Sequence, residues 1–156
     1  MTKKASLLLL IYFSVISTGQ AMSIFDAGKV CTFSSVRATV TYEGEPVKGA
    51  RVTRLTEWKN PNKEITETDD KGIFDFPAIF ERSISKYMPM EIVISQQIIV
   101  EYQGRLFEIW ANGKMNPEED SEFDGVSIDL DCELTNEAKT YRSNGSLVMT
   151  NCTLKK

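Results

Sequence analysis

The 156-residue sequence contains no histidine. Histidine supplies most general bases near neutral pH and is the commonest zinc ligand, so its absence excludes Ser-His-Asp catalysis, Cys-His catalysis and His-based metal sites. No nucleophile with an activating base is identifiable among the other residues. We therefore expect a protein that is not an enzyme, with no catalytic residues, no cofactor and no metal.

The sequence also lacks a concentrated cluster of basic residues. Its 18 Lys and Arg are outnumbered by 22 Asp and Glu, which gives a formal net charge of -4. Nucleic acids and anionic membrane surfaces both attract proteins that concentrate Lys and Arg on one face. We expect neither as a partner.

The N-terminal segment has the order of charge and hydrophobicity that is typical of a secretory signal peptide. Lys3 and Lys4 precede an apolar run, Ala5–Ile16, and small or polar residues follow as far as Ala21. The run is about half the ~20 residues that a membrane-spanning helix needs, so retention as an anchor is the less favoured alternative. We predict cleavage after Ala21, a periplasmic or secreted protein, no membrane insertion after cleavage, and one domain over residues 22–156.

Cysteine is scarce, and the three residues Cys31, Cys132 and Cys152 allow at most one internal disulfide. Three pairings are possible. We favour Cys132 with Cys152, because they lie in two segments that resemble apposed strands, Val126–Leu134 and Leu147–Leu154. A loop of that length gives about 3 kcal/mol on the chain-entropy estimate. Cys31 would then be buried as a small hydrophobic residue or exposed for an intermolecular bond.

Two segments predict strands separated by turns. Val36–Tyr42 alternates apolar and polar residues, the turn-forming segment Gly44–Gly49 interrupts the pattern, and Ala50–Val52 begins a second strand. Further along, the polar strand Glu64–Thr68 leads through an Asp- and Gly-containing turn into Ile73–Phe76. We predict that each pair of strands forms a hairpin.

Together these segments resemble the carboxypeptidase regulatory-like domains of the transthyretin-like superfamily, and they are similar to a family of small exported proteobacterial proteins of unknown function. The resemblance depends on Gly44, Pro46, Gly49, Ala50, Val52, Thr68, Asp69, Gly72, Phe74 and Phe76. It implies an all-β, transthyretin-like (prealbumin-like) β-sandwich of about seven or eight strands, here with a C-terminal strand extension. It implies little about function, because such domains have many roles.

The clearest strand outside the motif is Val126–Leu134, in which apolar residues alternate with acidic or polar ones. We expect one buried face and one acidic face. The expected core is formed by Val36, Ala38, Val40, Val52, Phe74, Phe76, Ile128 and Leu130, with Trp110 and Phe107 as the best aromatic candidates.

Two acidic groups invite a metal-binding interpretation that their spacing does not favour. The segment Glu118–Asp124 lacks the alternating ligands and central glycine of a calcium loop, so we expect a solvated loop. Glu67, Asp69 and Asp70 stand beside a turn, and turn formation already accounts for the two aspartates.

The candidate binding residues are Trp58, Asn60, Pro61 and Tyr87. Both aromatic rings lie in irregular segments near proline, where a rigid ring is suited to anchor a partner. We expect a non-enzymatic exported module that binds another protein, with its oligomeric state left open. The alternatives are an immunity or inhibitor protein against a periplasm-acting toxin, and a small-ligand carrier or enzyme whose site is not visible in the sequence.

Overall fold

The computed structural model describes residues 28–83, 91–143 and 146–155. The expected signal peptide and Tyr87 lie outside the described residues. Within these ranges the chain is all-β, as predicted, and its helical content is one 3₁₀ turn at Ser121–Phe123.

The described residues form more strands than the seven or eight expected, because several are very short. In chain order they are β1 (Lys29–Phe33), β2 (Val36–Tyr42), β3 (Glu45–Pro46), β4 (Arg51–Glu57), β5 (Pro61–Glu67), β6 (Ile73–Phe76), β7 (Ile79–Arg82), β8 (Ile94–Tyr102), β9 (Arg105–Lys114), β10 (Ile128–Glu133), β11 (Lys139–Ser143), β12 (Ser146–Thr150) and β13 (Cys152–Leu154).

The strands form two large sheets and one small one. The six-stranded sheet has the order β11-β12-β9-β8-β4-β5, and the five-stranded sheet has the order β13-β10-β2-β3, with β6 also paired to β2. The small sheet is the pair β1-β7. Buried side chains from both large sheets share one apolar cluster, so the architecture is sandwich-like.

Both predicted hairpins are wrong. The strand β2 pairs with β10, β6 and the two-residue β3, whereas β4 pairs with β5 and β8 in the other large sheet. The strands β5 and β6 also belong to different large sheets, and the Asp-containing turn connects them across the sandwich. The turn residues do reverse the chain, but the buried Val47 and Ala50 carry it through the core to the opposite sheet.

The motif residues hold these two crossovers together. Thr68 N donates to Ala50 O at 3.0 Å, and Ala50 N donates to the Thr68 hydroxyl at 2.9 Å. Gly72 has φ +76°, and a Cβ atom added there would lie 2.4 Å from the carbonyl oxygen of Val40. Only glycine fits such a position. The motif residues therefore stabilise two crossovers that pack against β2.

The apolar cluster between the large sheets, called here the main core, confirms the predicted core residues. Val36, Ala38, Val40, Val52, Phe74, Phe76, Ile128 and Leu130 are all buried in it. Trp110 is also fully buried there, while Phe107 is half-buried at its margin.

The C-terminal strands confirm the predicted disulfide and correct one strand. Cys132 on β10 lies directly opposite Cys152 on β13, and the two are bonded with their Cα atoms 4.1 Å apart. Cys31 is a buried free thiol. The expected single strand Leu147–Leu154 is divided, because β12 joins the six-stranded sheet and β13 the five-stranded sheet.

Candidate functional site

Trp58 lies in the bend between β4 and β5, as its position in the sequence suggested. Its ring is half-buried and packs against a small apolar cluster formed by Val30, Ile92 and Ile94. The Lys59 ammonium lies 4.7 Å from the centroid of the ring. Trp58 therefore exposes only part of its ring to solvent, and the rest contributes to packing.

Asn60 and Pro61 are exposed beside it, and Pro61 opens β5 directly opposite Glu57 on β4. Pro61 borders a hollow of about 460 Å³ that also involves Leu55, Lys63 and Gln97. Three of the four sequence-predicted residues therefore lie together at one corner of the six-stranded sheet.

This hollow is part of a larger surface, called here the outer face, on the side of the six-stranded sheet that points away from the main core. A second hollow of about 460 Å³ lies on the same face, bordered by Val93, Leu147 and Met149. Ser95 and Gln97 border both hollows. The two hollows are thus neighbouring parts of one surface.

Strand register explains why the outer face is broad and shallow. Gln97 on β8 lies opposite Leu55 on one side and Ala111 on the other, and Ala111 lies opposite Met149. Directly opposite residues share a face of a sheet, so these side chains form one row across four strands. Ala111 has a small side chain, so the surface is depressed at β9 between the larger side chains of Gln97 and Met149.

The outer face carries exposed apolar side chains at several positions. Val93 is 53% exposed, Leu147 is 47% exposed, Met149 is 42% exposed and Ile65 is 47% exposed. Val148, which lies between Leu147 and Met149, is instead fully buried in the main core. The face offers apolar contact and a few amide and hydroxyl groups, which suits binding.

Besides the outer face, the structure contains a group of buried polar residues at one end of the sandwich, which was not predicted from the sequence. This polar cluster consists of Ser34, Gln96, Asn112, Lys114 and Glu122. Lys114 and Glu122 are both 0% exposed, with the Lys114 Nζ atom 2.9 Å from Glu122 Oε2. The expectation of a solvated acidic loop is therefore wrong for Glu122.

Each oxygen of the Glu122 carboxylate has two donors, and one of those to Oε2 is the Lys114 ammonium. The Ser34 hydroxyl donates to Oε2 at 2.6 Å, and Ser34 N donates to Oε1 at 3.2 Å. Gln96 Nε2 donates to Oε1 at 2.9 Å, and Asn112 Nδ2 donates to Gln96 Oε1 at 2.8 Å. These bonds attach the 3₁₀ turn to β8, to β9 and to the residue after β1.

The surroundings set the protonation of this region. Burial acts to raise the pKa of Glu122, but the Lys114 ammonium and the hydrogen bonds from Ser34 and Gln96 outweigh it, so the pKa is lowered. Burial raises the pKa of the nearby Cys31 thiol, whose Sγ atom lies 3.7 Å from Ser34 Oγ. Glu122 is thus a charged anchor for the turn, and Cys31 stays a protonated, unreactive thiol.

The acidic turn before β6 has a structural role, as its position suggested. Asp69 Oδ1 accepts hydrogen bonds from Lys71 N and Ile73 N, both at 2.8 Å. These bonds lower the pKa of Asp69. Asp70 pairs instead with Lys48 at 2.6 Å. Across the described ranges, no three Cys, Asp or Glu side chains are grouped as a metal site requires.

Helices that could cross a membrane are also absent from the part of the chain that the structure describes.

Residues 36–137 match the family model described as "Domain of unknown function (DUF6795)". The match covers more than half of the chain and runs from β2 through β10. No curated protein and no solved structure matches the chain.

Proposed function

The chain belongs to the DUF6795 family, whose domains have no known function. We therefore propose a function from the surface of the structure. It is an exported, non-enzymatic module that binds another protein through the outer face of the six-stranded sheet. Asn60, Pro61 and the exposed part of Trp58 form one corner of that binding surface.

The observation that carries this proposal is the contiguous set of exposed apolar side chains on the outer face. Val93, Leu147 and Met149 surround one hollow, and Leu55 and Pro61 border the next. Isolated apolar residues are common on protein surfaces, whereas several that share one face favour an interaction site.

The shape of the outer face favours a protein over a small ligand. Its hollows are shallow, and they lie along a sheet surface of neighbouring strands. Small ligands are usually held in concave sites that bury most of their surface. A protein partner can cover the whole row from Leu55 to Met149, and methionine and aromatic side chains are enriched in the centres of such interfaces.

Two features support export. Lys3, Lys4 and the apolar run after them have the pattern of a signal peptide. The Cys132–Cys152 bond is of a kind that persists in oxidising compartments such as the periplasm or the cell exterior. Both features fit a module that meets its partner outside the cytoplasm.

The crossovers support a closer fold assignment, to the transthyretin-like sandwiches. The residues that carry the resemblance cluster where β2, β4 and β6 meet. The Thr68 hydroxyl accepts a hydrogen bond from Ala50 N, and a side chain at Gly72 would collide with the carbonyl oxygen of Val40. A motif with such specific packing roles is better evidence for a fold than composition alone.

The test is quantitative capture of a partner from periplasmic extract of the source organism, followed by substitution on the outer face. Leu147→Asp should reduce binding of the captured protein by roughly tenfold or more, because it places a charge in an apolar contact. The melting temperature should be nearly unchanged, since Leu147 is about half exposed.

Val126→Asp is the matched control. Val126 is 49% exposed, close to the 47% of Leu147, but it lies in the loop between the 3₁₀ turn and β10 and borders neither hollow of the outer face. Equal losses of binding in the two variants would contradict the proposal. Trp58→Ala is a less specific test, because the ring also packs against Val30, Ile92 and Ile94.

A further inference from the structure

The strand β5 is an edge of the six-stranded sheet. Among the described residues it pairs with β4 on one side only. An edge strand presents half of its backbone N–H and C=O groups outward, where another strand can bind them.

The side chains of β5 are self-complementary. Ile65 lies opposite Thr53 on the outer face, and Lys63 and Glu67 flank it two residues away on the same face. Ile65 is 47% exposed, and both charged residues are exposed. The outward sequence of the strand is therefore cation, apolar residue, anion.

Antiparallel pairing of two copies about a two-fold axis at Ile65 satisfies all three positions. The two Ile65 side chains meet at the centre, and each Lys63 lies opposite the Glu67 of the other copy. Opposite charges facing each other across an antiparallel pair are stabilising, as are paired branched side chains. The two inward Glu64 residues then face Thr66 rather than each other.

Neighbouring registers are less favourable. An axis at Glu64 sets Lys63 opposite Ile65 in both copies, so neither the charged nor the apolar side chain of the outer face meets a matching partner. It also brings together two Glu64 carboxylates, each of which is already bound to Arg54 of its own chain. An axis at Thr66 sets Ile65 opposite Glu67 in both copies. Only the register centred on Ile65 pairs apolar with apolar and positive with negative within the strand.

Charged edge residues and proline often serve to prevent pairing, and β5 contains both. Pro61, which has no N–H, lies at the first residue of β5, four residues from the proposed axis. Lys63 and Glu67 disfavour strands that set like charges opposite them, whereas an antiparallel copy of β5 sets opposite charges there. The pattern therefore favours a second copy of the same strand.

We propose that this protein forms a weak symmetric dimer in which two β5 strands pair antiparallel about Ile65 and join two six-stranded sheets into one. The inference goes beyond partner binding on the outer face and does not depend on it. A symmetric contact between identical strands closes on itself and gives dimers rather than longer assemblies.

The experiment measures molar mass as a function of protein concentration by sedimentation equilibrium. The sample is the protein in which the Cys132–Cys152 disulfide has formed. The wild type should approach twice the monomer mass at roughly 1 mM, a concentration at which weak complexes form. Lys63→Glu and Glu67→Lys should each weaken dimerisation by about tenfold or more, because each places like charges opposite each other twice. The double variant K63E/E67K should restore the wild-type dimer.

Lys71→Glu is the control for net charge, because Lys71 lies in the turn before β6 and outside β5. It should dimerise like the wild type. A wild type that stays monomeric, a mass that grows beyond the dimer, or a double variant as weak as the single ones would each overturn the proposal. Because no partner is present, such a result leaves the proposed function unaffected.

Discussion

The main core and the polar cluster are buried to the same extent, yet different interactions hold them together. Val40 and Ile98 in the main core and Lys114 and Glu122 in the polar cluster are all 0% exposed. Apolar burial is non-directional and scales with area. A buried ion pair stabilises only while both partners and their hydrogen bonds are present. Substitutions in the two regions should therefore obey different rules.

The largest effect is expected from placing a charge in the main core. Ile128→Asp should unfold the domain, with a loss of about 4 kcal/mol or more, because the new carboxylate has no partner. Asp129→Asn should cost no more than about 1 kcal/mol, since its contact is a partly exposed ion pair with Lys155 at 3.2 Å. Urea unfolding measures both, and equal losses would show that the assigned burial of β10 is wrong.

The next largest effect is expected from separating the charges of the polar cluster. Glu122→Gln keeps the shape of the side chain but leaves the Lys114 ammonium buried without a counter-charge, which should destabilise the domain by about 3–5 kcal/mol. The double variant K114M/E122Q removes both charges and should recover most of that loss. If the double variant is no more stable than Glu122→Gln, the two residues are not a coupled pair.

The smallest effect is the pH dependence of the same pair. The pKa of Glu122 is lowered in the folded state, so its contribution to stability is present above the unfolded pKa and is lost as the pH falls through the folded pKa. The stability of the wild type should therefore fall more steeply than that of K114M/E122Q between about pH 5 and pH 2. Parallel curves from urea unfolding at several pH values would contradict this.

Other carboxylates do not confound that comparison, because both proteins contain them. Desolvation acts to raise the pKa of Glu133, but hydrogen bonds from Thr135, Thr41 and Gly44 N lower it to about 2. Asp69 has a lowered pKa as well. Their contributions to the pH dependence cancel in the difference between wild type and variant.

Local patterns predicted strands and burial well, because alternation along Val36–Tyr42 and Ile128–Glu133 directly reports which side chains face the core. They failed for strand pairing. A turn that contains glycine and proline reverses the chain equally well in a hairpin and in a crossover. The choice depended on long-range contacts of Val47 and Ala50, which no local rule contains.

The candidate site was predictable only at its corner. Asn60 and Pro61 were predicted to be exposed beside Trp58, because turn residues next to an aromatic residue are recognisable in a sequence, and the structure places them there. Leu147 and Met149 were not, since they flank the buried Val148 and the segment looks uniformly apolar. For the polar cluster, a signal did exist. Polar residues occupy the inward positions of Gln96, Asn112 and Lys114, which indicates that something must satisfy them.

The disulfide changes what happens when the backbone is cut. Cys132 lies within the family-matched residues, whereas Cys152 lies beyond them. Residues 135–138, between β10 and β11, are exposed and therefore accessible to a protease. A chain cleaved there would remain one covalent molecule, and only a reductant would release the fragment that carries β13. In a protease-rich environment, the C-terminal extension would thus stay attached to its domain after the connecting backbone is broken.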